Sequence, residues 1–95
     1  MEKLEKSVSI FKSLGDMTRL RIVEAIIEGE KSVNSIANEL QMSQSAISHQ
    51  LKNLKNNDLV RSKRRGKEVY YRLSDEHVKT MINQVFDHTS HKHDE

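Results

Sequence analysis

The spacing of apolar residues changes twice along this chain, and this pattern limits the fold more than any other feature. Apolar residues recur at helical intervals up to Asp58, alternate with charged and polar residues from Leu59 to Leu73, and return to helical spacing after Ser74. Helical spacing is typical of amphipathic helices, and alternation is typical of strands. The sequence therefore predicts a mainly helical protein with a small β-hairpin.

Two helices are predicted at the start of the chain. The first covers about residues 3–13 and ends before Gly15, with Leu4, Val8 and Phe11 at helical spacing. Asp16 is a residue type that caps helices, so we expect the second helix to follow it and to continue toward the next glycine.

Two shorter helices follow, and their spacing predicts a helix-turn-helix. Ser32 is in position to cap the first of them, which carries its apolar face up to Leu40. Gln41 and Met42 form a tight connection to Ser43, a second capping residue, and the next helix runs to about Asn56. A turn of this length followed by small polar side chains is typical of a DNA-reading helix pair, although hairpins of two helices also occur in proteins that bind no DNA.

The alternating region predicts a wing. The runs LVRSKR and KEVYYRL are separated at Arg65 and Gly66, where a turn requires a positive φ. A final helix is expected from Ser74 into the C-terminal HTSHKHDE. We therefore predict one winged helix-turn-helix domain over residues 1–95, dimeric through its N-terminal and C-terminal helices.

The charge distribution favours contact with nucleic acid. The formal net charge is only +2, but the segment from Lys52 to Lys67 contains several basic residues and a single acidic residue, Asp58. A local basic patch is typical of proteins that contact phosphate, whereas a solvated surface is the other interpretation of such a run. The chain has no cysteine, which excludes disulfides and thiol chemistry.

No stretch of the sequence resembles a membrane span or a signal peptide. The first fifteen residues intersperse charges among apolar residues, and no apolar run approaches the roughly 18 residues that a membrane span requires. We therefore expect a cytoplasmic protein with no membrane partner.

Three motifs in order resemble the ArsR/SmtB family of metal-sensing winged-helix repressors, and together they cover nearly the whole chain. They are FKSLGDMTRLRIVEAI, ELQMSQSAISHQLKNLKNNDLV and RRGKEVYYRLSD. The resemblance implies that the helix beginning at Ser43 is the recognition helix, with Gln44, Ser45, Ser48 and His49 toward the major groove of operator DNA.

The residue pattern agrees with that assignment. Ile47, Leu51 and Leu54 share one stripe, so the polar residues at the helix start face outward, where they can meet base edges or phosphates. Ser43 is also a candidate DNA contact, and simple capping of the helix is an equally good interpretation of this residue. On the wing, basic side chains are expected to contact phosphate or the minor groove. They are Lys63, Arg64, Arg65 and Lys67.

Four residues of the last helix are candidate metal ligands: Asp75 and His77 at its start, and His88 and His91 near its end. Eleven positions separate His77 from His88, a rise of about 16 Å in a helix, whereas zinc ligands lie about 2 Å from the ion. One chain cannot close such a site. Two antiparallel helices related by a two-fold axis would form two equivalent sites, each built from both subunits.

The resemblance extends to this ligand pattern, which is similar to the interfacial zinc or cobalt site of the family's efflux-gene repressors. One carboxylate and three imidazoles suit tetrahedral Zn²⁺ or Co²⁺, whereas Ni²⁺ prefers more ligands. His93 is either an additional ligand that favours such higher coordination or a tail residue. Thiol-based sensing is not expected, because SVNSIANEL occupies the helix where such family members carry cysteines.

The expected function is metal-released repression. An apo dimer binds its operator, and metal binding at the shared sites releases it, which turns on efflux genes. The alternatives are a nickel or cobalt sensor of the same fold and a winged-helix repressor with a non-metal signal. A metal-dependent enzyme is not supported, because four protein ligands leave no open position on the ion.

Overall fold

The computed structural model describes residues 1–90, and within this range it contains five helices and three strands. Along the chain they are α1 (Glu2–Leu14), α2 (Met17–Ile26), β1 (Lys31–Ser32), α3 (Val33–Leu40), α4 (Gln44–Asn56), β2 (Val60–Arg65), β3 (Glu68–Leu73) and α5 (Glu76–Ser90). Helices α3 and α4 with the β2–β3 hairpin confirm the predicted winged helix-turn-helix.

Three helices begin at the predicted capping residues. The side chains of Asp16, Ser32 and Ser43 each accept a hydrogen bond from the backbone N–H three residues later, at 3.0, 3.0 and 3.1 Å. Such bonds satisfy N–H groups that have no partner inside the first helical turn. The starts of α2, α3 and α4 are therefore set by local sequence.

The turn between α3 and α4 relies on one residue with left-handed backbone geometry. Gln41 has φ 58° and ψ 47°, and the N–H of Met42 donates to the carbonyl of Ala37 at 3.0 Å. This arrangement closes the C-terminus of α3 and reverses the chain within three residues. It fixes the angle at which α4 leaves α3.

The sheet has one strand more than the predicted hairpin. β2 and β3 pair in an antiparallel ladder with Arg65 opposite Glu68, and β1 pairs antiparallel with β3, with Lys31 opposite Tyr71. The strand order is β1-β3-β2. A strand of two residues is too short to show alternation, so the pattern of apolar residues could not predict β1.

One apolar core joins the helices to the base of the wing. Ile22, Ile36, Ile47, Leu51 and Leu54 have no exposed surface. Leu59, Val60 and Leu73 of the hairpin base belong to the same cluster, and so do Val78 and Ile82 of α5.

The start of α5 differs from the prediction. The helix begins at Glu76 rather than Ser74, because the backbone N–H of Ser74 donates to the carbonyl of Leu59 at 3.0 Å and Asp75 caps the helix. Within α5, Val78 and Ile82 pack in the core of their own chain. Val85 of the same helix remains 50% exposed.

Replacing Gln41 by glycine is expected to stabilise the protein by about 0.5–1 kcal/mol. A non-glycine residue in the left-handed region costs roughly 1–2 kcal/mol, and the greater backbone entropy of unfolded glycine offsets part of the gain. Urea unfolding at fixed protein concentration measures the effect. Gln41→Ala is the control and should not stabilise; equal stabilisation by both variants would contradict the backbone explanation.

Candidate DNA interface and metal site

The first two turns of α4 carry the predicted base-contacting residues on their exposed side. The anchored face is apolar, because Ile47 and Leu51 are fully buried against the other helices. The residues on the outward side are exposed, as predicted: Gln44, Ser45, Ser48 and His49. Ser45, Ser48 and His49 are spaced three and four residues apart and therefore share one face.

The side chains of Ser43 and Gln44 already have partners inside the protein. The hydroxyl of Ser43 caps α4 by accepting from the N–H of Ala46. The side-chain amide of Gln44 donates to the Oδ1 atom of Asn34 at 2.8 Å, which ties it to α3. Ser43 thus has a structural role, and its contact with DNA stays a prediction.

The wing presents its basic residues around the turn at Gly66. Gly66 has φ 63°, the geometry expected at this turn. Lys63, Arg64, Arg65 and Lys67 are all exposed. Arg65 differs from the others, since its guanidinium forms an ion pair with Glu30 and lies 4.8 Å from the centre of the Tyr70 ring. Tyr70 therefore supports the wing.

A polar network that the sequence did not predict connects α4 to the α1–α2 junction. Ser13, only 2% exposed, donates through its hydroxyl to Oδ1 of Asn53 at 2.6 Å. Arg19 donates from Nε to the carbonyl of Ser13 at 2.7 Å and from Nη1 to Oε1 of Gln50 at 2.9 Å. These bonds hold one side of α4 against the α1–α2 junction. Only long-range packing brings the groups together, so periodicity carries no signal for them.

Asp75 and His77, the first of the two predicted ligand pairs, lie close together at the start of α5. Oδ1 of Asp75 accepts from the N–H of Val78 at 2.9 Å, and Oδ2 lies 3.4 Å from Nε2 of His77. The His77 side chain is 90% exposed and that of Asp75 is 40% exposed. The aspartate therefore combines a capping role with an accessible carboxylate oxygen.

His88, the one described residue of the other predicted ligand pair, lies at the opposite end of α5. His88 is in the last turn of the helix, whereas His91 and His93 lie outside the described residues. Within residues 1–90, no three His, Asp or Glu side chains are grouped so that they could hold a metal ion. One chain does not bring Asp75 and His77 to His88.

A cavity of about 450 Å³ places Asp75 and His77 beside the end of α4. Its wall also includes Asn56 and Asp58, at and just beyond the last turn of α4, and Lys6 of α1. Asp58 has a left-handed backbone with φ 59°. The first turn of α5 and the end of the candidate recognition helix thus share one surface.

Most of the large exposed apolar side chains lie on α1, and another, Val85, lies on α5. Leu4, Val8 and Phe11 share one face of α1 and are 59%, 50% and 68% exposed. A furrow of about 240 Å³ between the two helices is lined by Phe11, Val85 and other mainly apolar residues. An apolar surface of this kind is typical of a site of association.

Comparison with known proteins identifies the family. The model of the bacterial regulatory protein arsR family matches residues 16–62. A transcriptional repressor SmtB homolog from Synechocystis sp. is 36% identical over 88 residues, which are 93% of this chain and 67% of that protein. The chain belongs to the ArsR family.

Two further matches extend this ArsR assignment. A cadmium resistance transcriptional regulatory protein CadC homolog from Staphylococcus aureus is 41% identical over 83% of this chain and 66% of its own length. The homodimeric winged helix-turn-helix DNA-binding domain Mb0332 from Mycobacterium bovis superposes with a TM-score of 0.88 and is 30% identical, over 97% of this chain and 89% of that domain.

The ArsR relatives define the general class of this protein. They are transcriptional regulators, so this chain is a regulator and not an enzyme. It spans about two thirds of the length of the two curated relatives. None of the helices described for residues 1–90 has the length and apolar character needed to cross a membrane.

The two capping roles predict a pair of stability effects. Ser43→Ala and Asp75→Ala should each lower the free energy of unfolding by about 1 kcal/mol, because each leaves a helix N–H without its partner. Ser43→Asp and Asp75→Asn are the matched controls and should retain most of the stability, since both new residues cap helices well. Chemical denaturation at fixed protein concentration measures all four; an alanine variant as stable as its control would contradict the capping role.

Proposed function

We propose that this ArsR protein is a dimeric repressor that binds operator DNA when metal-free and releases it when Zn²⁺ or Co²⁺ binds between the subunits. Each dimer has two metal sites, and each site combines Asp75 and His77 of one subunit with His88 and His91 of its partner. The main supporting observation is the separation of Asp75 and His77 from His88 along α5, which a single chain cannot bridge.

The apolar surface of α1 and α5 supports the proposed dimer. Leu4, Val8, Phe11 and Val85 are at least half exposed in the single chain, and a second copy would remove them from water. Pairing this surface with itself across a two-fold axis places two α5 helices near each other. The relative from M. bovis is a homodimer of the same fold.

The DNA-binding part of the proposal rests on α4 and the wing. Exposed amide, hydroxyl and imidazole groups on Gln44, Ser45, Ser48 and His49 suit base edges in a major groove. Lys63, Arg64, Arg65 and Lys67 suit phosphates beside it and add affinity that falls with salt. Ser43 contributes by fixing the start of α4.

The chemistry of the described ligands suits zinc. Asp75 uses one oxygen for capping and keeps the other beside the imidazole of His77, so one carboxylate oxygen and one nitrogen are available together. Zinc takes four such ligands in a tetrahedral site, and two imidazoles from the partner complete the number. Cobalt accepts the same set, whereas nickel favours a larger one.

The structure suggests how metal binding at α5 affects α4. Asp75 and His77 share a cavity wall with Asn56 and Asp58 at the end of α4, and the N–H of Ser74 is bonded to the carbonyl of Leu59. When metal draws Asp75 and His77 toward a partner helix, it therefore also displaces the segment that connects the recognition helix to the wing. The two recognition helices then lose the spacing that fits successive major grooves.

Several finer points belong to the same proposal. The repressor acts in the cytoplasm, and its targets are metal-efflux genes. Release by metal would allow such genes to be expressed when the metal is present. A relative named for cadmium resistance supports a metal signal in general. The absence of cysteine from the chain favours zinc or cobalt over the thiol-seeking metals. A regulator with a non-metal signal is the alternative, and it predicts DNA binding that metal does not change.

A zinc titration of the protein bound to fluorescent DNA from its own upstream promoter tests this function. We expect anisotropy to fall as zinc releases the wild-type protein, and a His88→Ala, His91→Ala double variant to remain bound. Because coupling between two ligands is reciprocal, promoter DNA should weaken zinc binding by the same factor by which zinc weakens DNA binding.

Two controls separate the parts of the proposal. Asp75→Asn keeps the helix cap but removes the carboxylate charge, so it should bind DNA normally and respond poorly to zinc. His49→Ala removes a histidine from α4 and should weaken DNA binding while preserving zinc binding. Zinc release that survives in both α5 variants would refute the metal site and leave DNA binding standing.

A further inference from the structure

A groove beside α4 is lined by two cationic side chains to which the proposed DNA interface assigns no role, Arg19 and Lys52. It lies between α4 and the α1–α2 junction and has a volume of about 210 Å³. We call it the junction groove, and its lining consists of polar side chains: Arg19, His49, Gln50, Lys52, Asn53 and Asn56. Two of these are cations, one is a histidine, and none is a carboxylate.

The guanidinium of Arg19 is held in place before any ligand arrives. Its Nε donates to the carbonyl of Ser13 at 2.7 Å and its Nη1 to Gln50 at 2.9 Å. The residue lies at the start of α2, where its own N–H bonds to Asp16 at 3.0 Å. A cation fixed in this way loses little side-chain entropy when it binds an anion.

The junction groove adjoins the DNA-facing side of α4. Ser45, Ser48, His49 and Lys52 follow one face of the helix, and His49 and Lys52 also line the groove. A helix with its side chains is about 10–12 Å wide and the major groove is about 12 Å wide, so the flanks of an inserted helix meet the sugar-phosphate backbone. The junction groove lies on such a flank.

We propose that the junction groove binds a backbone phosphate of the DNA, with Arg19 and Lys52 as its ligands. The α4 helix then has cationic contacts on two sides, one from the wing and one from this groove. This inference rests on the proposed DNA-binding function. It assigns to Arg19 and Lys52 a binding role, and to Gln50 the role of positioning the guanidinium.

The test measures how DNA affinity depends on salt. Wild-type protein, Lys52→Gln and Arg19→Lys are titrated into a fluorescent promoter duplex and into a duplex of random sequence, each over a series of salt concentrations. Lys52→Gln should weaken binding to both duplexes by a similar factor, because phosphate contacts carry no sequence information. It should also reduce the slope of log affinity against log salt by about 1.

The two other variants complete the test. Arg19→Lys keeps the charge but loses the fixed guanidinium, so it should bind both duplexes more weakly while the slope stays nearly unchanged. Lys3→Gln removes one exposed charge from the first turn of α1, away from the groove, and should change neither quantity. Thermal unfolding of each variant verifies that the fold is retained.

Two outcomes would overturn the proposal. An unchanged slope in Lys52→Gln, with the wild type binding DNA normally, refutes the phosphate contact and leaves the proposed function intact. The second is saturable binding of inorganic phosphate alone to the junction groove of the DNA-free protein, detected through the side-chain NMR signals of Gln50 and Asn53, which line the groove. That result, together with an unchanged slope, would assign the groove to a small anion. Failure of the wild type to bind either duplex refutes the proposed function itself.

Discussion

The burial of one face of α4 determines how the rest of this molecule can work. Ile47, Leu51 and Leu54 are completely enclosed by the other helices and the base of the hairpin, so α4 cannot rotate about its axis. Its opposite face must then carry Ser45, Ser48 and His49 into solvent. Hydrogen bonds from Arg19 to Gln50 and from Ser13 to Asn53 fix the same helix from the side. The fold therefore holds the proposed recognition surface in one orientation.

The α5 helix contributes to the core, to the exposed apolar surface and to the metal site that we propose. Val78 and Ile82 complete the core of their own chain, while Val85 and the exposed face of α1 remain for a partner. Asp75 caps the helix and also offers an oxygen beside His77. Because capping occupies only one carboxylate oxygen, both functions can coexist in one residue. The metal response we propose is thus built onto a helix that folding already requires.

Local signals in the sequence predicted most of the fold. The capping residues Asp16, Ser32 and Ser43, the apolar stripe of α4 and the turn at Gly66 all act over a few residues, and each was found where the pattern placed it. The misses have a common cause. Strand β1 is defined by its pairing with β3, and the start of α5 by the bond from Ser74 to Leu59. Both depend on segments distant in sequence.

The same distinction between local features and contacts of distant segments applies to the candidate site. Exposure of the predicted residues on α4 and the wing follows from periodicity, and the proximity of Asp75 to His77 follows from their spacing. The ion pair of Arg65 with Glu30 and the network around Arg19 join separate elements, so no spacing rule could indicate them. The pairing of Asp75 and His77 with His88 and His91 that we propose involves two chains, and the sequence suggests it only through the eleven positions between His77 and His88.

Zinc binding by mixed dimers tests the central claim that each metal site is shared between subunits. Chains carrying Asp75→Asn are combined with chains carrying His88→Ala and His91→Ala, and the mixture is unfolded, refolded and titrated. If the sites are shared, each variant alone binds zinc poorly, whereas a mixed dimer regains one intact site from the two undamaged halves. A mixture that binds no more zinc than its separate components would contradict the shared site and the account of metal-controlled DNA release built on it.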